Sequence, residues 1–66
     1  MARTPVQSSM LKSVGYNPLT GDLEVEFNTG KVVTYKQVTQ DEFRGLERAE
    51  SKGRYVNAVI KRHPVQ

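Results

Sequence analysis

The sequence is marked by several absences. Its 66 residues include no cysteine, no tryptophan and a single histidine, so it offers no disulfide, no thiol nucleophile and too few ligands for a typical zinc site. No apolar stretch reaches the length of a membrane span, and the first ten residues lack the apolar run of a secretory signal. We expect a cytoplasmic protein that has no membrane partner and needs no cofactor or metal ion.

The length of the chain limits it to one hydrophobic core. A chain this short buries only about 60% of the surface that its unfolded form exposes. We predict a single domain over residues 1–66, with residues 1–5 loosely ordered. Because neither a disulfide nor a metal ion is expected to support so small a core, we also expect a homo-oligomer.

Catalytic arrangements are hard to find in this sequence. His63 lies beside Pro64, away from any nucleophile, and the five glycines match neither a G-x-G nor a Walker spacing. A carboxylate pair is conceivable among Asp22, Glu24 and Glu26, but such alternation is typical of the solvent-facing side of a sheet. We therefore predict that the protein is not an enzyme.

Strand patterns occupy the first half of the chain. Residues 22–27 read DLEVEF, a strict alternation of polar and apolar residues. Residues 11–16 and 31–38 read as the strands before and after it, and Asn28-Thr29-Gly30 supplies a hairpin loop. Val6-Gln7 could add an edge strand. The pattern predicts an antiparallel three-stranded meander, with an N-terminal fourth strand left open.

The register of the second hairpin decides the role of one tyrosine. The favoured pairing places Val25 opposite Val33 and Leu23 opposite Tyr35, which puts Tyr35 on the apolar side of the sheet. A slip of one residue would turn Tyr35 outward, where it could serve as a platform for a ligand. The sequence favours the first register and leaves both open.

Helix signals begin after the third strand. Thr39 followed by Glu42 forms a capping box, and Gly53 is expected to end the helix. Gly45 predicts a close approach of this helix to the sheet. A short second helix is predicted after Gly53, ending before Pro64. The fold class is therefore α+β, with the meander packed against one α-helix and a short C-terminal helix.

The charge of the chain is unevenly distributed. Residues 1–33 carry three basic and three acidic residues, whereas residues 34–66 carry seven basic and four acidic ones, so the net charge of +3 lies in the second half. Clustered lysine and arginine attract phosphates, although many small proteins carry such charge simply as a solvated face. The asymmetry permits a polyanionic partner without requiring one.

Binding of nucleic acid requires cations for phosphate and flat aromatic faces for bases, and the second half of the chain contains both. Tyrosines are also typical of core edges, and basic side chains of solvated helix faces. Asn57 could bond to a base edge or to a neighbouring loop. The candidate nucleic-acid or nucleotide-binding residues are Tyr35, Lys36, Arg48, Lys52, Arg54, Tyr55, Asn57, Lys61 and Arg62.

Several short motifs follow one another in a specific order. They are V-x-S-S at residues 6–9, V-G-Y-N at 14–17, L-E-V-E-F at 23–27, the Gly30 hairpin, the spacing from Tyr35 to Val38, and A-x-S-x-G-x-Y-x-N at 49–57. Together they resemble the KTSC domain over nearly the whole chain. The family takes its name from lysyl-tRNA synthetases, some of which carry the domain at their C-terminus, and it also occurs as free-standing short proteins in bacteria and phages.

Some positions depart from the family pattern. The usual Y-x-Y appears with Val33 in the first position and Tyr35 in the second, and Thr39 replaces the common proline after Val38. Val56 stands where an aromatic residue commonly precedes the asparagine, and residues 63–64 replace a late tyrosine. If the two aromatic residues form a base-stacking platform in the family, this chain retains half of it.

The resemblance implies a role in RNA binding, by association with the synthetase context. It agrees with the charge asymmetry. We therefore predict a small binding module for RNA or a nucleotide-type phosphate ligand, acting through the basic second half. The alternative is a protein-protein interaction module, for example a phage or bacterial accessory protein that docks on a partner enzyme through an exposed strand edge.

Overall fold

The computed structural model describes residues 2–66, which form a four-stranded antiparallel sheet and two α-helices. The strands are β1 (Thr4–Pro5), β2 (Leu11–Asn17), β3 (Asp22–Phe27) and β4 (Val32–Tyr35), and they lie side by side in chain order. The helices are α1 (Gln40–Arg48) and α2 (Lys52–Ala58), and a 3-10 turn follows at Ile60–Arg62. The α+β class and the meander are confirmed.

The predicted hairpin register is also correct. Val25 pairs with Val33 and Leu23 with Tyr35, so the tyrosine side chain is 4% exposed and belongs to the core. Gly30 has a φ of 94°, which lets the chain turn back without the steric cost that a side chain would bring. The alternative in which Tyr35 is an outward stacking platform is therefore wrong for this structure.

The edge strands differ from the sequence predictions. β1 lies at Thr4–Pro5 rather than at Val6-Gln7, and it pairs with residues 13 and 14 of β2. Loose order was expected for residues 1–5, yet residues 4–5 are a strand and Arg3 forms an ion pair with Glu24 at 3.2 Å. Met1 lies outside the described residues. On the other side, β4 ends at Tyr35 because Gln37 turns the chain with a φ of 61°.

The capping box of α1 is present. The Thr39 hydroxyl accepts a hydrogen bond from the Glu42 backbone N–H, while a Glu42 carboxylate oxygen accepts one from the Thr39 backbone N–H. α1 ends at Arg48, earlier than the expected end at Gly53, because Ser51 begins a new helix by accepting a bond from the Arg54 N–H. Within residues 2–66, no helix is long and apolar enough to cross a membrane.

Two glycines in the helices mark close contacts of a kind that the sequence did not predict. A Cβ atom at Gly45 would lie 2.7 Å from Tyr55 Cζ, so Gly45 accommodates the second helix and not the sheet. Gly53 is buried inside α2, where a Cβ would lie 2.8 Å from Met10 Sδ. Both glycines therefore permit α2 to pack closely against its neighbours.

The core lies between the sheet and the helices. Leu46 of α1 is buried in it, and the ring of Phe43 stacks on that of Tyr16 with centroids 4.6 Å apart. Every strand of the meander and both helices contribute to this single core. Its buried hydrophobic residues are Leu11, Val14, Leu23, Val25, Tyr35, Val38, Leu46, Val56 and Ile60.

Candidate ligand-binding groove

Most polar residues in the family-like motifs have a structural partner within the chain. In V-G-Y-N, the Tyr16 hydroxyl donates a hydrogen bond to the backbone carbonyl oxygen of Val38 at 2.6 Å. The side-chain oxygen of Asn17 accepts a bond from the Leu19 N–H at 3.0 Å and so shapes the turn after β2. These two side chains stabilise the fold, and this accounts for their place in the motif.

The motif at residues 49–57 contains one side chain without such a role. Ser51 caps α2, Gly53 contacts Met10, and Tyr55 packs over Gly45. Asn57 is exposed, and no hydrogen bond joins its side chain to another group among residues 2–66. The fold therefore gives no reason for an amide at this position.

The V-x-S-S motif shows the same division. The Ser8 hydroxyl accepts bonds from the backbone N–H groups of Met10 and Leu11, each at 3.1 Å, and so fixes the entry into β2. The neighbouring Ser9 is exposed, and its hydroxyl has no partner within the described chain. Ser9 is thus a second motif residue whose side chain is available.

Tyr35 is the third residue of this kind. Its ring is buried, but its hydroxyl has no hydrogen-bond partner within residues 2–66. The hydroxyl oxygen is not completely enclosed by the protein, so solvent or a ligand can reach it. A buried tyrosine hydroxyl normally finds a partner, so this one bonds to solvent or to a ligand. Burial raises the pKa of Tyr35 above its usual range, which keeps the hydroxyl protonated and able to donate.

These three side chains line one groove, with a volume of about 490 Å³. We call it the motif groove. Its walls come from the approach to β2, the β3–β4 hairpin and the end of α2, so residues far apart in sequence meet there. The lining residues are Ser9, Met10, Phe27, Asn28, Thr29, Lys31, Val33, Tyr35, Asn57 and Lys61. This mixture of apolar surface and a few polar groups is typical of small-ligand sites.

The electrostatic character of the motif groove is positive. Lys31 and Lys61 line it, whereas no carboxylate does so among the described residues, and neither lysine is in an ion pair there. Two uncompensated positive charges beside an apolar surface favour an anion. The groove can therefore hold a ligand that has an apolar part and a negatively charged part.

Three of the predicted phosphate-binding cations are engaged elsewhere in the fold. Lys36 Nζ lies 2.7 Å from a buried oxygen of Asp22, an ion pair that lacks the alignment of a hydrogen bond. Lys52 donates to the carbonyl oxygens of residues 47 and 49 at the end of α1. Arg62 does the same for residues 58 and 59 at the end of α2. Their charges stabilise carboxylate or carbonyl groups of this chain.

The other candidates divide between groove and surface. The motif groove brings together Tyr35, Asn57 and Lys61. Arg48 and Arg54 are exposed and do not line it, and Tyr55 lies between the two helices. The structure thus gathers three of the nine predicted residues.

The acidic residues on β3 lie on the face of the sheet that points away from the helices, and each has a partner there. Besides Asp22 with Lys36, Glu24 pairs with Arg3, and Glu26 accepts a hydrogen bond from the Ser13 hydroxyl at 2.8 Å. Within residues 2–66, no group of three His, Cys, Asp or Glu side chains is placed to hold a metal ion. We find no unpartnered carboxylate pair on this face that could act as acid and base.

Glu42 and His63 connect the end of the chain to α1. His63 Nε2 lies 3.0 Å from the Glu42 carboxylate, in addition to the bonds that Thr39 makes to it. Burial alone would raise the pKa of Glu42, but hydrogen bonds from Thr39 and His63 outweigh it and lower the pKa. No pattern in the sequence indicated that its single histidine contacts the capping box.

Sequence reasoning missed several groove residues. Ser9 had a signal, since it belongs to a family-like motif, but it was not among the candidate binding residues. Lys31 follows the hairpin glycine and belongs to no pattern. Met10, Phe27 and Val33 are apolar, so the sequence alone assigns them to the core.

Comparison with known proteins agrees with the sequence motifs. The family model of the KTSC domain matches residues 7–63. The chain belongs to the KTSC domain family. A crystal structure of a KTSC domain protein from Yersinia pestis superposes with a TM-score of 0.94 at 33% identity, covering 98% of this chain and 93% of that one. This KTSC fold is therefore shared almost from end to end.

Two bacterial relatives also cover most of the chain. A protein of Stutzerimonas stutzeri (strain A1501) is 43% identical over 61 residues, which are 92% of this chain and 86% of the relative. A protein of Tsukamurella paurometabola is 39% identical over 57 residues, or 86% and 85%. Neither name states an activity, so the function of this KTSC chain must be argued from its own groove.

Proposed function

We propose that this KTSC chain is a small non-enzymatic binding protein that takes RNA or a nucleotide-type phosphate ligand in the motif groove. One observation carries the proposal. The motif side chains of Ser9, Tyr35 and Asn57 have no hydrogen-bond partner among residues 2–66, and the three residues line the same groove. Polar groups that converge on a mostly apolar pocket are the usual mark of a ligand site.

The chemistry of the groove fits the parts of a nucleotide. Lys31 and Lys61 supply positive charge for a phosphate. Phe27 and Met10 offer apolar surface for the face of a base, and the Asn57 amide offers both a donor and an acceptor for its edge. RNA-binding was implied by the family resemblance, and the uncompensated lysines support it independently.

Thermal unfolding tests this proposal with defined probes. A ligand at about 100 times its dissociation constant adds about 2.7 kcal/mol to the free energy of unfolding. For a domain of this size that corresponds to a rise in melting temperature of roughly 10 °C or more. The probes are the four ribonucleoside 5′-monophosphates and a short mixed-sequence RNA, each at low and high salt.

Matched substitutions locate the binding. We expect Lys31→Met and Lys61→Met each to weaken binding about tenfold and to reduce its salt dependence. Arg48→Met and Arg54→Met remove an exposed charge outside the groove and should leave the affinity nearly unchanged. If the arginine variants lose binding and the lysine variants keep it, the motif groove is not the site.

The rival hypothesis of a protein-docking edge has less support. The outer edge of β4 pairs with the end of the chain, where the Lys36 N–H donates to the carbonyl oxygen of Pro64 and the Gln66 N–H to that of Thr34. On the other side the edge strand is β1, which has only two residues, one of them Pro5. Edges that are covered, short or interrupted by proline hinder strand addition by a partner. Homo-oligomerisation stays a prediction, and light scattering in solution would check it.

A further inference from the structure

A second groove runs along β4 and joins the motif groove. It has a volume of about 780 Å³ and shares four lining residues with the motif groove, namely Lys31, Val33, Tyr35 and Lys61. We call it the edge groove. The two lysines therefore lie on the boundary that the two grooves share.

The edge groove is formed by backbone pairing. The last residues of the chain pair with β4 through an isolated bridge between Tyr35 and Val65 and through the bond from the Gln66 N–H to the Thr34 carbonyl oxygen, at 2.9 Å. Val65, at 60% exposure, and Val32, at 44%, provide apolar surface in the groove. The site is thus assembled before any ligand arrives.

The charge of the edge groove is compatible with an anionic strand. Its acidic residue, Glu24, forms an ion pair with Arg3, so its negative charge is offset within the chain. The side chains of Thr34 and Gln66 add neutral hydrogen-bonding groups. Among the side chains that line the combined path, the uncompensated charge is therefore that of the two shared lysines.

From this arrangement we infer that the ligand is a single-stranded segment of at least two nucleotides. One base lies in the motif groove, the next lies in the edge groove, and the phosphate that links them lies between Lys31 and Lys61. This inference rests on the proposed function and specifies its ligand. The second base buries apolar surface against Val32 and Val65 in the edge groove, so it should raise the affinity.

The experiment compares ligands that have one phosphate each. Isothermal titration measures the binding of the ribonucleoside 5′-monophosphates and of the corresponding dinucleoside monophosphates. We expect the dinucleoside compounds to bind roughly tenfold tighter, because the second base buries additional apolar surface, although they carry less negative charge. A mononucleotide that binds as tightly as its dinucleoside counterpart would overturn the inference.

A pair of variants assigns the second base to the edge groove. Val65→Ala should reduce the affinity for dinucleoside monophosphates severalfold and leave that for mononucleotides unchanged. Leu19→Ala, at a residue that is 94% exposed and outside both grooves, is the control and should change neither. If Val65→Ala has no effect while Lys61→Met weakens mononucleotide binding, the inference fails and the proposed function stands. If no nucleotide binds the wild-type chain, both fail.

Discussion

The end of β2, at Tyr16 and Asn17, and the motif groove contain the same types of polar side chain but differ in whether those side chains are hydrogen-bonded within the chain. We call the first of these the turn region. Tyr16 and Asn17, in the turn region, each bond to a backbone group of this chain. Tyr35 and Asn57, in the motif groove, are the same two residue types without a partner. The difference teaches that a family-like motif mixes residues that build the fold with residues that the fold leaves available.

Energetics explains why the distinction is meaningful. A hydrogen bond within the chain contributes about 0.5–1.5 kcal/mol to stability, and leaving its buried partner unsatisfied costs more. A polar group that bonds to nothing in the chain makes no such contribution. Its substitution should therefore change stability little and ligand affinity more, and paired substitutions can test each half of the comparison.

The tyrosine pair should show the largest difference. Tyr16→Phe removes the partly buried bond to the Val38 carbonyl and should lower the free energy of unfolding by about 1–3 kcal/mol. Tyr35→Phe removes a hydroxyl without a partner and should change stability by less than about 0.5 kcal/mol. Urea unfolding of both variants measures this.

The same tyrosine variants should differ in the opposite sense in nucleotide binding. Tyr35→Phe should weaken it about tenfold, whereas folded Tyr16→Phe should bind like the wild type. A large loss of stability in Tyr35→Phe would show that its hydroxyl has a structural partner, and the comparison would fail at this pair.

The asparagine pair should show a smaller difference. Asn17→Ala removes the side-chain acceptor of the turn and should cost about 1 kcal/mol of stability, without an effect on binding. Asn57→Ala should be neutral in stability and should weaken nucleotide binding. Thermal unfolding with and without the probe ligand gives both quantities, and a ligand response that survives in Asn57→Ala would remove this residue from the site.

The two serines of V-x-S-S should differ least of the three pairs. Ser8→Ala removes the acceptor of two backbone N–H groups, one at the exposed Met10 and one in a partly buried bond from Leu11, so we expect a loss of about 0.5–1 kcal/mol. Ser9→Ala should leave stability unchanged and reduce affinity a fewfold. Equal stability losses in the two variants would mean that Ser9 also shapes the turn.

Acid should lower the stability of the fold slightly through Glu42, which lies outside the motif groove. Because the pKa of Glu42 is lowered in the folded state, its contribution to stability is complete above the ordinary value near 4.5 and is lost as the pH falls through the folded value. Glu42→Gln should flatten this part of the stability profile. Since no described carboxylate lines the motif groove, the variant should bind nucleotide like the wild type at neutral pH.

Much of the fold could be predicted from local patterns. The alternation in residues 22–27 defined β3, and the turn geometry at Gly30 then fixed which residues face each other across the hairpin. The capping box at Thr39 marked the start of α1 correctly. The end of α1 was misplaced because Gly53, which resembles a helix end in sequence, is inside α2 and contacts Met10.

The candidate site was much less accessible to prediction. A count of cations in the second half of the chain could not distinguish Lys61 from Lys52 or Arg62, because the distinction depends on which backbone carbonyl groups lie within reach. Lys31 was missed for the converse reason, as it belongs to the neutral half of the chain and enters the groove through the hairpin.

The sequence by itself determined the class of fold and the KTSC family and favoured the correct hairpin register, since these depend on periodicity, turn residues and short motifs that are local in the chain. Only the tertiary structure decided which polar side chains remain without a partner and which of them share a groove. The physical reason is that a hydrogen-bond partner such as the Val38 carbonyl of Tyr16 lies 22 positions away in sequence. Whether a side chain is satisfied or available is therefore a property of the packed molecule.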